Sequence, residues 1–510
     1  MPGAAATGTF NANTANDPNL TAAATVGKLL FSIGSDAEIF TGSALTLNGV
    51  SAIGIDNQSG VTQTFNNTLI AAAAQSWNAG SGNLAFSAVT LTNNLTLTGS
   101  SNLTFSGTLL NSGGNRSFIN NSTGTVSVGA VNLSNNNTAR TLTFSGAGNT
   151  SVTGVIGNGG TGAGGVTKTG TGTLTLSGTN TYTGATTINA GTLSVATIGN
   201  GGVAGNLGAA TTTATNLVLG GGTLEYTGAT ASTNRNFVLT AGTTSTISVT
   251  NGASNLTISG ASTNTTGALT KGGAGTLTLS GANLYTGATT VSAGTLMLGA
   301  SNVLSNSTAV TVAVGATLDV NGQTETIASL AGAGTVDFGT GTLISAGNAS
   351  TIFSGAFTGP GTFTKQGTGI LTLDTDLTFN GTFNLAGGTL RLTDMTLNLD
   401  TLNITGNSTI DFAGASASLY TTNLNLNGFT LTITNWSNAL DFFYATNWTG
   451  AVVNTRGAAP MNQVTFNGFT AANTQWQGYD NQVTPVPEPS AYGALLLGTL
   501  TALFAWRRRA

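Results

Sequence analysis

The sequence predicts an all-β chain wound as an elongated parallel β-solenoid, a right-handed β-helix, and three observations carry that prediction. Apolar residues alternate with Thr, Ser or Asn in short runs such as TLTL at 173–176 and GTLSV at 191–195. In an extended chain this spacing puts the aliphatics on one face and the hydroxyls on the other. Glycine, 74 of 510 residues, stands at about twice its usual level, and with Asn it interrupts the runs every few residues. Finally, one block recurs without a gap at 168–195, 271–298 and 365–392. A two-strand unit of this kind cannot bury its apolar face alone, whereas stacked units build a continuous core.

Taken in order, residues 1–24 read as an irregular N-terminal segment. MPGAAATGTFNANTANDPNL has no basic residue and no apolar h-region, so the expectation is a misassigned start with the signal peptide missing. Residues 25–428 are expected to form the solenoid, with coils of about 22 residues; only the stretch from Val26 to Phe40 has an ambiguous helical period. ALTLNGVSAIGI, NLTLTGSSNLTFSG and TLNITGNSTIDFAG pair an alternating strand with a Gly or Asn corner outside the three clear copies. Tandem β-sandwich modules are the alternative. The 103-residue step from Lys168 to Lys271 permits them, but the 94-residue step to Lys365 and the strand-like filler between copies weaken them.

Within the copies, Lys168, Lys271 and Lys365 coincide, and they read as solvated corner residues. Gly172, Gly184 and Gly191 have equivalents in Gly275, Gly287 and Gly294, and in Gly369, Gly381 and Gly388; all nine are expected to be structural. Tyr182, Tyr285 and Phe379 are read as stacked core or corner aromatics in preference to sugar platforms. Residues 429–483 gain Trp436, Phe442, Phe443, Tyr444, Trp448, Phe466, Phe469 and Trp476. They are expected to cap the last coil, with a carbohydrate-stacking site of exposed Trp as the functional alternative. Residues 484–510 form a tail. Its apolar span 491–506 makes a short C-terminal transmembrane helix of roughly 24 Å, and Arg507, Arg508 and Arg509 favour the cytoplasmic side.

Composition limits the chemistry. Up to residue 486 nine basic groups face fifteen acidic ones, so no basic face forms and a nucleic-acid partner is not expected. Without His or Cys, Ser-His-Asp triads, thiol catalysis and typical zinc sites are excluded. No cofactor is expected. A β-helical lyase or glycosidase needs carboxylates gathered on one face. Asp374 and Asp376 are the nearest approach, on one face if the strand persists, and they are weak candidates for Ca²⁺ or catalysis, since Asp also suits turns.

Two resemblances add to this reading. GTGTLTLSGTNTYTGATTINAGTLSV and its partners resemble the autotransporter-associated β-strand repeat, also called the passenger-associated transport repeat; the third copy departs from it where Asp374, Thr375 and Asp376 replace the Ser-Gly corner. That resemblance implies a long β-helical, adhesin-like surface protein. Pro487, Glu488 and Pro489, followed by the apolar span and Arg507 to Arg509, resemble the PEP-CTERM sorting signal. This implies an exosortase partner in the inner membrane of a Gram-negative bacterium, transient anchoring there, and delivery to the cell surface or the exopolysaccharide matrix. The function expected is adhesive or structural, with a glycan-binding or glycan-cleaving β-helix enzyme as the alternative.

Overall fold

A computed structural model describes residues 6–10, 17–438 and 440–486. Among them there is no α-helix, only three short 3-10 turns between strands. The chain divides into two compact units, Met1–Leu296 and Met297–Ala510. Each is a parallel β-solenoid.

In the first unit an eleven-stranded parallel sheet runs from Thr7–Phe10 and Lys28–Phe31 through Gln75–Ala79, Thr141–Ser145 and Gly165–Lys168 to Val238–Leu239. Strand pairing thus begins at Thr7, which lies opposite Lys28. The short alternating runs form strands because every second side chain is apolar and turns inward: Leu174 and Leu176 are buried while Thr173 and Thr175 are not. Register keeps like above like. Gln75, Leu95, Phe118 and Phe144 form one inward column across four coils. Phe40, Phe65, Phe86 and Phe105 form another, with ring centroids 4.7, 5.5 and 4.8 Å apart, close to the strand spacing of about 4.8 Å. Aromatic rings held at that distance add about 0.5–1.5 kcal/mol per pair beyond burial.

The second unit repeats the plan. Leu371, Leu390 and Ile410 stack in register at steps of 19 and 20 residues, slightly tighter than the coil length expected from sequence. Its core includes Phe338, Phe357, Phe363 and Phe379, with centroids 5.0–6.4 Å apart. At its C-terminal end the plan changes. Ala445 N–H donates to the Asn481 carbonyl, Tyr444 bridges Gln482 antiparallel, and Thr474–Trp476 pairs antiparallel with Val483–Pro485. Returning chain therefore lies against the strand Phe442–Trp448, where a further coil would otherwise sit, and blunts an edge that invites intermolecular pairing.

Parallel coil-to-coil register within each unit replaces the sandwich alternative, which requires antiparallel modules. The span 491–506 lies outside the described residues; among these no helix is long and apolar enough to cross a membrane. The aromatic column yields a direct test. Phe65 stacks on both Phe40 and Phe86 and is fully buried, so Phe65→Ala is expected to lower stability by about 3–5 kcal/mol. Hydrogen exchange across residues 39–42 and 84–91 reads the loss; unchanged protection there contradicts the stacking role.

Candidate functional site

The repeat lysines are not the solvated corner residues that the sequence suggests. Lys168, Lys271 and Lys365 are 3%, 0% and 3% exposed. Lys168 occupies an inward position in register between Phe144 and Ile188, and Lys271 lies between Ile247 and Val291. Their stems pack as aliphatics, and their ammonium groups turn into the corner. Lys168 Nζ donates to the carbonyls of Thr169 (2.7 Å), Gly170 (2.8 Å) and Ala190 (3.3 Å). Lys271 Nζ donates to those of Gly272 (2.8 Å), Gly273 (2.8 Å) and Ala293 (2.9 Å). Lys365 Nζ reaches Gln366 (2.9 Å) and Gly367 (3.1 Å). An ammonium has three donors and no acceptor, so a ring of carbonyls is a complete partner. The sequence carried the signal: in GVTK, period-two alternation puts Lys168 on the same face as Val166, which is buried.

Of the nine repeat glycines, Gly191, Gly294 and Gly388 lie against the nest carbonyls, and the other six stand where one coil passes close to the coil before it. At Gly191, φ is +65°, and a Cβ would stand 2.3 Å from the Gly170 carbonyl oxygen and 2.7 Å from Lys168 Nζ. Gly294 and Gly388 share the positive φ. Gly172, Gly275 and Gly369 pass so close to the preceding coil that a Cβ would lie 2.2–2.4 Å from a carbonyl oxygen. Gly184, Gly287 and Gly381 do the same at 2.2–2.5 Å. Side chains would force the coils apart there. Tyr182, Tyr285 and Phe379 are fully buried. Tyr182 Oη lies 2.6 Å from Thr186 Oγ1, and Tyr285 Oη 2.7 Å from Thr289 Oγ1. In the third copy the phenol and its partner hydroxyl change together, to Phe379 and Phe383, so neither polar group is buried alone. Burial pushes the Tyr182 phenol up to about 12.

Among the other buried ionisable side chains, Arg235 and Glu325 also escaped the sequence reading. Arg235 donates to the carbonyls of Gly199 (2.9 Å), Ala210 (3.1 Å) and Gly208 (2.7 Å), pinning the long excursion between the strands Thr192–Val195 and Leu217–Leu219. Glu325 accepts the backbone N–H groups of Val303 (2.7 Å) and Leu304 (3.3 Å), and burial raises its carboxyl to about 7. These groups bind the protein's own backbone.

Asp374 and Asp376 are both exposed and fall between the strands Ile370–Leu373 and Leu377–Leu385, so the two-residue spacing of a strand does not relate them. Asp376 Oδ1 accepts the Thr396 N–H at 2.7 Å, tying one corner to the next coil. Among the described residues no three acidic side chains gather as a metal site. Three shallow concavities are lined by amides, hydroxyls and backbone: one by Asn121, Ser122, Asn149 and neighbours, one by Thr358, Pro360, Thr378 and Asn380, and one by Asn425, Thr449, Pro460 and Gln463. The terminal tryptophans do not form a platform. Trp448 and Trp476 are buried, and Trp436 is half-buried between Phe412 and Phe466. The outward rings in this region include Phe429, which is 38% exposed, Phe442 and three tyrosines. Tyr420 and Tyr444 stack at 4.8 Å with planes 10° apart, and Tyr479 is 83% exposed. Pro487, Glu488, Pro489 and Arg507 to Arg509, expected from sequence to form the sorting signal, lie outside the described residues.

Fold and corners together define a repeat-built parallel β-solenoid. Comparison with known families agrees: the chain carries three copies of the passenger-associated-transport-repeat, at 166–195, 269–298 and 363–392, and a PEP-CTERM protein-sorting motif at 485–509. It is similar to a protein described as the adhesin BmaC autotransporter of Brucella suis biovar 1 (strain 1330), at 36% identity over 312 residues. The match covers 58% of this chain and 9% of that relative's length. No solved structure matches.

The nests make two predictions. Lys271→Met keeps the stem and removes the donors, leaving buried carbonyls unpaired, and is expected to cost about 1–3 kcal/mol, read as faster hydrogen exchange at 268–272 and 289–291. Protection equal to the parent chain rules out a structural role for the cation. Desolvation pushes Lys168 and Lys271 down from 10.5 to about 8. Between these values the unfolded chain binds more protons than the folded one, so stability rises with pH through that window. Thermal unfolding from pH 8 to about 9.5 is expected to show this rise in the parent chain and a flatter profile in Lys168→Met/Lys271→Met. Parallel profiles refute it.

Proposed function

We propose that this chain is an exported cell-surface or matrix-associated β-solenoid that serves as a structural or adhesive element, sorted by its C-terminal tail. The PEP-CTERM motif at 485–509 carries this reading: the tail is an address, and an exosortase-type protease of the inner membrane is its partner. Residues 25–428 form the working solenoid, 429–483 its cap, and 484–510 the signal with the membrane-spanning stretch 491–506, in which Pro487, Glu488, Pro489 and Arg507 to Arg509 are the recognised elements.

The adhesive side is supported by similarity to a protein described as an adhesin and by the chemistry of the outer faces. Thr, Ser and Asn present many weak hydrogen-bonding groups, and a ladder of these acts by multivalency without a deep pocket. The repeats carry structural glycines and carbonyl-bound lysines, a pattern that supports a scaffold. A glycan-cleaving β-helix needs paired carboxylates in a cleft, whereas the three concavities offer amides and hydroxyls.

The test is peptide mapping by mass spectrometry of the native protein from washed surface and matrix fractions. The expected product ends near Pro489, and Arg507→Ala/Arg508→Ala/Arg509→Ala is expected to retain the tail in the inner membrane. A parent chain found intact through Ala510 in the inner membrane or cytoplasm alone rejects the sorting mechanism.

A further inference from the structure

One outer face of the second unit differs from the rest of its surface. Strands Leu377–Leu385, Thr396–Ile404, Ser418–Asn425 and Phe442–Trp448 pair in parallel, with one shift of register between Phe379 and Thr382 in the first pairing. Leu397, Leu399, Leu402 and Ile404 turn inward, leaving Asn398, Thr401 and Asn403 outward. Register then lines the outward groups into columns. One column runs Thr378, Asn398, Tyr420, Tyr444; the next runs Thr382, Thr401, Asn423, Asn447. In a third, Asn403 Nδ2 donates to Asn384 Oδ1 (3.0 Å) and Asn425 Nδ2 to Asn403 Oδ1 (2.8 Å), and Thr449 Oγ1 completes the column on Asn425.

A carboxamide has two N–H donors and two lone pairs. The ladder uses one of each along the column, which orients the amides and leaves the second donor and lone pair of Asn403 unspent. Beside this grid stand the parallel rings of Tyr420 and Tyr444, with Phe442 5.9 Å from Tyr444 at an interplanar angle of 13°. Tyr420 is 40% exposed. Asp400 is the one charged group among the outward positions of these four strands, and none is basic. The concavities at Thr378 and Asn380 and at Asn425 and Thr449 lie at two corners of the grid.

This combination selects a class of ligand. A phosphate or uronate polymer needs cations, which the face lacks, and Asp400 repels it. A lipid or protein partner is marked by a large contiguous apolar patch, whereas these rings stand among amides and hydroxyls. An uncharged sugar chain presents hydroxyls to fixed amides and C–H faces to aromatic rings, and it repeats, as the columns do at about 4.8 Å. We infer that the face built on Tyr420, Tyr444, Asn403, Asn425 and Asn447 binds an extended, neutral polysaccharide. This deepens the adhesive reading above and rests on the chain reaching the cell exterior.

Isothermal titration of the full chain with cellohexaose and laminarihexaose, and with hexagalacturonate as the acidic counterpart, tests it. Saturable binding of a neutral hexamer is expected, weakened at least tenfold by Tyr420→Ala/Tyr444→Ala and unaffected by Val314→Ala in a different corner. Circular dichroism and thermal unfolding verify that each variant is folded; should the tyrosine pair fail that check, Asn447→Ala, at an exposed position, carries the test with an expected severalfold loss. Absence of binding by both neutral hexamers, tighter binding of hexagalacturonate, or undiminished affinity in a folded variant overturns the inference. A chain that is delivered to the surface yet ignores neutral glycans overturns it while leaving the surface reading standing.

Discussion

Everything in this solenoid answers to the hydrogen bond between successive coils. Each strand has its N–H and C=O groups aimed at the coils on either side, so the distance between coils is fixed at about 4.8 Å wherever the chain is extended. Corners must respect the same distance with only scattered bonds of this kind, such as Gly172 N–H to the Gly146 carbonyl and Gly184 N–H to the Gly164 carbonyl. At Gly172 and Gly184 they do so by omitting the side chain, because the preceding coil's carbonyl already occupies the place of a Cβ. At Lys168 the corner carbonyls, turned inward with no N–H to meet, are gathered by a single ammonium group. Aromatic columns such as Phe40, Phe65 and Phe86 succeed for the same reason, since offset rings prefer centroid separations of about 4.5–7 Å, a range that includes the coil spacing.

The cost of a buried cation is large when it stands alone. Here it is met by backbone carbonyls alone and in part remains, as the lowered pKa values of Lys168 and Lys271 show, and that distinguishes these nests from the ion pairs Lys28–Asp56 and Arg391–Asp411, both of which keep contact with solvent. Arg235 repeats the device on a larger scale, its guanidinium Nε, Nη1 and Nη2 reaching five carbonyls of a long excursion. A chain so poor in charge places several of its few cations where they bind backbone.

Much of the fold was legible because its cause is local and periodic. Alternation in TLTL sets strand and face together, and the ungapped copies set the stacking. The site was less legible. Reading Lys168 as solvated gave charge precedence over phase, although its own alternation with Val166 pointed inward. Asp374 and Asp376 were related by a strand that ends at Leu373, a boundary that the two-residue period does not mark. The outer grid was beyond reach, because Asn403 meets Asn384 and Asn425 only through register, and register depends on how many residues each corner consumes. Trp448 and Trp476 drew attention as large rings, yet the outward-facing pair is the exposed Tyr420 and the half-buried Tyr444, which share a column across neighbouring strands.

The lysine nests also bear on how such a chain completes its structure away from the cytoplasm. Surface proteins that close their corners around calcium or zinc must find the ion where they are delivered, and a chelator can undo them. At 168, 271 and 365 the counter-charge is covalently part of the chain. It is present in equal number to the corners it serves, arrives with them, and is neither lost by dilution nor stripped by a competing ligand.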